Sequence, residues 1–120
     1  MIGSYKVAHL LGYTRDNEMQ FRYVERELTK AGNICFAPAI YDFNIYKQYS
    51  DMLDNMCYEK LLACDFCVVV TPEHIGKSTS NRILQAINLG KPVYLWINDG
   101  LNKKIKTEDD LLKYLGKMKD

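Results

Sequence analysis

A chain of 120 residues, of which 48% are hydrophobic, is long enough for one compact domain with a single core over residues 1–120. Sixteen basic and fifteen acidic residues nearly cancel, which excludes a broad nucleic-acid surface but permits a local basic pocket. No apolar run approaches the roughly 20 residues that span a bilayer, and no signal-peptide pattern is present. We therefore expect a cytoplasmic protein without membrane or nucleic-acid partners.

The four cysteines show no repeated metal-binding spacing, so we expect neither a metal nor a cofactor. Cys64 and Cys67 form a C-x-x-C pair that leads into an apolar strand. A redox or zinc pair is the alternative, but buried free thiols in a reducing cytosol are favoured.

The first half of the chain alternates between apolar runs and one amphipathic stretch. A first strand is predicted over 5–11, a helix over 17–31 and a second strand over 33–37. The helix has its apolar face at helical spacing, formed by Phe21, Val24, Leu28 and Ala31. The segment 38–50 carries four aromatic residues without a clear period, and a connection of this length is typical of a functional loop or lid.

The second half repeats the alternation. We predict a helix over 50–63, a strand over 65–71, a helix over 78–89, a strand over 92–97 and a last helix near 108–118. Thr107 and Asp110 have the spacing of a capping box at the start of the last helix. Continuous apolar strands between helices predict a three-layer α/β/α sandwich around a mostly parallel sheet of four to five strands. The fold would be Rossmann- or flavodoxin-like, with strand order 2-1-3-4.

Ligands bind such sheets at the carboxyl ends of the strands, where the chain has two polar turns. The turn after the third strand contains His74, Gly76, Lys77, Ser78 and Thr79. It is not a P-loop, since that motif needs a glycine where this chain has Thr71. We expect an anion-binding helix N-terminus at Ser78 and Thr79, although one of them could simply be the N-cap.

The turn after the first strand is Gly12-Tyr13-Thr14-Arg15. In order 2-1-3-4 the two turns open onto one crevice, where Arg15 could clamp a phosphate or carboxylate. Taken alone, Arg15 is slightly more typical of a solvated loop residue, and the convergence of the two turns favours the functional interpretation. Tyr13 and His74 could stack on a base or donate hydrogen bonds to it, or belong to ordinary loop packing.

Over residues 5–97 an ordered set of short motifs resembles the nucleoside 2-deoxyribosyltransferase-like family. The motifs are Gly12-x-Thr14-Arg15, Leu53-Asp54-x-Met56, Asp65, Ile75-Gly76-x-Ser78-Thr79 and Gly90-Lys91-Pro92-Val93. The resemblance implies binding of a nucleoside or nucleotide. It also implies N-glycosidic chemistry through a carboxylate nucleophile in active members, and a homodimer or higher homo-oligomer.

Arg82 departs most from that family, whose active members carry a glutamate nucleophile at this position. Arginine stays protonated and cannot serve as nucleophile or base. Cys57 and Tyr13 also differ from the residues usual in the family. Asp54 is the remaining candidate for a catalytic carboxylate, while Asp65 is expected at the start of its strand, away from the crevice.

Three hypotheses remain. The chain binds a nucleotide without turnover, or it is an N-glycosidic transferase or hydrolase on deoxynucleosides or their monophosphates, or the segment 38–50 forms a protein interface. Binding without turnover is favoured because position 82 is an arginine. The predicted ligand-binding residues are Gly12, Tyr13, Thr14, Arg15, His74, Gly76, Lys77, Ser78, Thr79 and Arg82.

Overall fold

A computed structural model describes residues 1–119 and contains an alternating series of strands and helices. In chain order the elements are β1 (Lys6–Leu11), α1 (Glu18–Lys30), β2 (Asn33–Phe36), α2 (Phe43–Gln48), α3 (Ser50–Ala63), β3 (Phe66–Val69), α4 (Lys77–Asn88), β4 (Val93–Ile97), β5 (Gly100–Ile105) and α5 (Glu108–Lys119). Eight of these elements match the predicted strands and helices to within about three residues. Helix α2 and strand β5 were not predicted.

The strands form one sheet in the order β2-β1-β3-β4-β5. The first four are parallel, which confirms the predicted α/β fold and its 2-1-3-4 core. Strand β5 adds to the β4 edge in antiparallel orientation. Asn98 and Asp99 make the tight turn between them with φ values of 54° and 58°, a conformation that Asn and Asp tolerate better than most residues.

Helices cover both faces of the sheet. Helix α1 buries Phe21, Val24 and Leu28 against the face that carries Leu10 and Val68. Helices α3, α4 and α5 cover the opposite face, with side chains that include Leu61, Ile83 and Leu111. The three layers bring the carboxyl ends of β1 and β3 together at one edge of the sandwich.

Helix α2 lies within the aromatic segment 38–50. Asp42 caps it, because its carboxylate accepts hydrogen bonds from the backbone N–H groups of Asn44 (2.8 Å) and Ile45 (3.3 Å). None of its six residues is buried. With less than two turns and no buried face, the helix leaves no periodic pattern in the sequence.

Two smaller predictions concern the ends of elements. The capping box of α5 is confirmed, since the Thr107 hydroxyl accepts from the Asp110 N–H (3.1 Å) and the Asp110 carboxylate accepts from the Thr107 N–H (3.2 Å).

Asp65 precedes β3 at the end opposite the crevice, as expected. It accepts hydrogen bonds from the Val7 N–H (2.7 Å) and the Met1 amine (3.0 Å). These two bonds, the one from Val7 first, hold the pKa of Asp65 below its usual value.

All four cysteines are free thiols. Cys64 and Cys67 are buried with their sulfur atoms 3.9 Å apart, whereas Cys35 and Cys57 are half-buried. The expectation of buried thiols at the C-x-x-C pair is therefore confirmed. Within residues 1–119, no helix has the length and apolar character needed to cross a bilayer.

Candidate functional site

A crevice of about 470 Å³ opens at the carboxyl ends of β1 and β3. It extends from the two polar turns to the segment between β2 and α3. The structure brings all ten predicted ligand-binding residues into its lining, namely Gly12, Tyr13, Thr14, Arg15, His74, Gly76, Lys77, Ser78, Thr79 and Arg82. Their convergence follows from the strand order, which makes β1 and β3 neighbours.

The Thr71 hydroxyl joins the two turns. It accepts a hydrogen bond from the Tyr13 N–H (2.9 Å) and donates one to the His74 carbonyl (3.1 Å). The backbone reaches this close approach at Gly12, whose φ of +148° is rarely adopted by residues with a side chain. The position and conformation of one turn are therefore fixed by the other.

The rings of Tyr13 and His74 stack on each other. Their centroids are 4.0 Å apart and their planes differ by 10°. Each ring thus covers one face of the other, and together they form a flat wall of the crevice. In this arrangement the two rings cannot enclose a base between them, although an outer face can still contact one.

Helix α4 begins at Lys77, with Gly76 as its N-cap and no side-chain cap. The interpretation of Ser78 or Thr79 as the N-cap is therefore wrong, because both residues lie inside the first turn. The first N–H groups of an α-helix have no partner within the helix. At α4 these groups lie in the crevice lining, where the positive end of the helix dipole favours an anion.

Arg82 lies one turn further along α4 and connects three helices. Its guanidinium donates hydrogen bonds to the Asp54 carboxylate of α3 (2.6 Å) and to the Tyr46 hydroxyl of α2 (3.3 Å). The Arg82 side chain is only 16% exposed, whereas that of Asp54 is 57% exposed. Asp54 lines a shallow groove on the outer surface of α3 and not the crevice, so the candidate catalytic carboxylate reaches the crevice only through Arg82.

The charge of the lining is one-sided. Arg15, Lys60, Lys77 and Arg82 line the crevice, and within residues 1–119 no carboxylate or carboxamide side chain does. The Arg15 guanidinium lies 5.5 Å from the centre of the Phe43 ring in α2, which links the first turn to this short helix. A protein with a net charge of only +1 thus concentrates basic side chains in one cavity.

The inner end of the crevice, formed by His9, Leu53, Cys57 and Lys60, was not predicted as part of the site. His9 of β1 is 5% exposed, and its Nε2 lies 3.9 Å from the Cys57 sulfur. Burial, followed by the charges of Lys60 and Arg82, lowers the pKa of His9 to about 3, so its imidazole is neutral. Burial also raises the pKa of the Cys57 thiol. A polar residue in the middle of an apolar strand was the one signal in the sequence for this region.

Aromatic side chains from the segment 38–50 complete the lining on the third side. Tyr41, Phe43 and Tyr46 of this segment all contribute to it. The crevice therefore combines basic side chains, a free helix N-terminus and aromatic rings, a set that suits an anion attached to a flat ring system. Comparisons of the chain with protein-family models, curated proteins and solved structures found no match.

Proposed function

We propose that this protein binds a nucleotide in the crevice without turning it over. The observation that carries the proposal is the lining, which contains Arg15, Lys60, Lys77 and Arg82 and no carboxylate from residues 1–119. The one carboxylate paired with these cations, Asp54, contacts Arg82 from outside the lining. A phosphate group suits the N-terminus of α4 together with the Lys77 and Arg82 side chains. The aromatic side chains offer apolar area to the sugar and base.

The resemblance to nucleoside 2-deoxyribosyltransferases supports the same class of ligand. It involves the residues of both turns, and these residues line the crevice. The homodimer and the catalytic activity that the resemblance implies are separate proposals, because they depend on other surfaces and other side chains.

Turnover is less well supported. Cleavage of an N-glycosidic bond by the family mechanism requires a carboxylate that can reach the sugar. Asp54 is the candidate, but its Oδ1 accepts a 2.6 Å hydrogen bond from Arg82 and its side chain does not line the crevice. Arg82 itself remains a cation at any pH at which the protein is folded. The enzyme hypothesis thus needs Asp54 to leave its partner and turn inward.

Binding should depend on the phosphate and on Arg82. In isothermal titration calorimetry at low salt, we expect nucleoside monophosphates to bind and the matching nucleosides to bind at least about tenfold more weakly. Arg82→Gln should weaken monophosphate binding by about tenfold, because a charge-assisted hydrogen bond is lost. Arg22→Gln is the matched control, since Arg22 also pairs with a carboxylate at 2.7 Å but lies on α1 outside the crevice. Equal binding of nucleosides and monophosphates would contradict the proposal.

The same samples test turnover. Released base is measured by chromatography after long incubation with a panel of deoxynucleosides and their monophosphates. No product is expected. Base release that is abolished by Asp54→Asn would instead establish the enzyme hypothesis and overturn binding without turnover.

We also propose that a second copy of the chain docks on the outer face of α2 and α3. This face exposes a series of large apolar side chains outside the crevice lining, namely Ile45, Tyr49, Met52, Tyr58 and Leu62. Light scattering at increasing protein concentration should show a dimer, and Met52→Asp should shift it to monomer. The control Met19→Asp changes an even more exposed methionine on α1 and should leave the dimer intact. A monomer at all concentrations would exclude this interface.

A cytoplasmic location is the remaining proposal. It is supported by the four free thiols, which a reducing compartment maintains. Cys64 and Cys67 are the sensitive pair, since their sulfur atoms are 3.9 Å apart and an oxidising compartment would favour their pairing.

A further inference from the structure

Lys60 is a basic side chain of the crevice that the phosphate site does not use. It lies in the last turn of α3, three residues after Cys57 and on the same side of the helix. It is half-buried in the lining, and within residues 1–119 its ammonium group makes no ion pair or side-chain hydrogen bond. Its charge acts on the neighbouring imidazole, since Lys60 contributes to the lowered pKa of His9. A half-buried cation without a partner is a strong donor available to a ligand.

A single phosphate cannot contact both Lys60 and the N-terminus of α4. Helices α3 and α4 each connect parallel strands, so they run in the same direction. Their common level is fixed by the contact between Asp54 and Arg82. Lys77 lies five residues before Arg82 and Lys60 lies six residues after Asp54, which places the backbone positions of the two lysines about 16 Å apart along the helix direction. A phosphate at Lys77 therefore leaves another part of the ligand to reach Lys60.

The surroundings of Lys60 favour a neutral group over a second phosphate. The carboxyl end of α3 carries the negative end of the helix dipole, which opposes an anion there. The adjacent walls are the neutral imidazole of His9, the protonated thiol of Cys57 and the aliphatic side chain of Leu53. Flat, mostly apolar walls with a donor at one side suit the edge of a nucleobase.

The hydrogen-bonding groups of the lining then select among bases. Lysine and arginine side chains only donate, and the strongest side-chain acceptors for an exocyclic amino group, carboxylates and carboxamides, are absent from the lining within residues 1–119. Hydroxyl and imidazole groups are the side-chain acceptors that remain. A base carbonyl at Lys60 gains a charge-assisted hydrogen bond, whereas an amino group there would point a donor at a donor.

We propose that the crevice selects nucleotides whose base presents a carbonyl group to Lys60 at position 6 of a purine or position 4 of a pyrimidine. These are the keto bases guanine, hypoxanthine, uracil and thymine, selected over adenine and cytosine, which carry an amino group at that position. This inference rests on the proposed nucleotide-binding function and adds the base class to it. Lys60 is the residue that determines specificity, and the N-terminus of α4 supplies affinity that is independent of the base.

Two ligand pairs test the selection, because the members of each pair differ at one position of the base. Inosine and adenosine 5′-monophosphates carry an oxo or an amino group at position 6, and uridine and cytidine 5′-monophosphates differ likewise at position 4. By calorimetry with the full chain, we expect the keto member of at least one pair to bind about tenfold or more tighter than the amino member. The pair that shows the larger ratio identifies purine or pyrimidine as the better fit.

Variants of Lys60 assign the selection to this side chain. Lys60→Met keeps the aliphatic length and should reduce the keto-to-amino ratio to less than about twofold. Lys60→Glu should reverse the ratio, since a carboxylate accepts from an amino group. Lys60→Gln can both donate and accept, and should give an intermediate ratio. Lys113→Met on the exposed face of α5 is the matched control and should behave as the unmodified protein.

The outcomes separate the two proposals. If none of the four monophosphates binds, the proposed function fails and the base selection falls with it. If they bind without a keto preference or with an amino preference, the base selection is overturned and nucleotide binding stands. If a keto preference is left unchanged by Lys60→Met and Lys60→Gln, only the role of Lys60 is overturned. The comparison of ligands on the unmodified protein decides the base class even if a variant does not fold.

Discussion

Replacing Gly12 with alanine is expected to lower the free energy of unfolding by about 3 kcal/mol. An added Cβ would lie 2.7 Å from the Thr71 hydroxyl and 3.2 Å from the Phe21 ring. The φ of +148° adds backbone strain in any residue with a side chain. To relieve both the steric overlap and the backbone strain, the chain would have to break the hydrogen bond between Tyr13 and Thr71 that joins the two turns. Urea denaturation followed by circular dichroism measures the loss.

Gly116→Ala is the control for this variant. Gly116 lies in α5, and a Cβ added there meets no atom within 4 Å. The change should leave stability unchanged or raise it by up to about 1 kcal/mol, because alanine is the better helix former. Equal stability of the two variants would mean that the first turn can move away from Thr71 without cost, and that the two turns are not held as one unit.

Acid should destabilise the protein through His9 at pH values where most carboxylates are still ionised. The folded-state pKa of His9 is about 3 and the unfolded value is 6.5. Between these values the unfolded chain binds a proton that the folded protein excludes, so stability falls as the pH decreases from 6.5 towards 3. For a pKa shift of this size, the free energy of unfolding at pH 4 is about 3 kcal/mol lower than at pH 7. Urea titrations at several pH values measure how the free energy of unfolding changes with pH.

The contribution of His9 is isolated by comparing two substitutions. His9→Gln removes the titrating group. It should flatten the dependence of the free energy of unfolding on pH between pH 6.5 and 4, whatever its effect on stability at pH 7. His74→Gln removes the other histidine of the chain, whose side chain is exposed, and should keep the slope of the unmodified protein. Asp65 and Asp110 also lose favourable hydrogen bonds in acid, but both remain in the two variants and cancel in the comparison. An unchanged slope in His9→Gln would contradict the lowered pKa.

The fold could be predicted wherever a single physical signal dominated the sequence. Strands such as β1 and β3 are continuous apolar runs, and α1 has an apolar face at regular spacing. Strand β5 was missed because four of its six residues are exposed, and their polar character resembles that of a loop. The Asn98-Asp99-Gly100 sequence that precedes it is a hairpin signal that could have indicated the strand.

The mouth of the site was predictable because strand order alone brings the two polar turns together. The inner end of the crevice was not predictable, because its lining depends on which side of α3 faces the sheet. That helix carries apolar residues on its outer face as well, including Met52 and Leu62, so the sequence does not distinguish the two sides. The pairing of Arg82 with Asp54 likewise depends on two helices whose contact no local pattern encodes.

The one-sided charge of the crevice also affects the stability of the protein and therefore its resistance to proteolysis. Arg15, Lys60 and Lys77 share a cavity of about 470 Å³ with Arg82, whose charge is offset by Asp54, and the repulsion among the cations opposes the folded state. If an anionic nucleotide binds there as proposed, it removes that repulsion and binds only the folded chain, so it shifts the folding equilibrium in proportion to the logarithm of its concentration. Since proteases act mainly on the unfolded chain, the amount of this protein would follow the supply of its ligand.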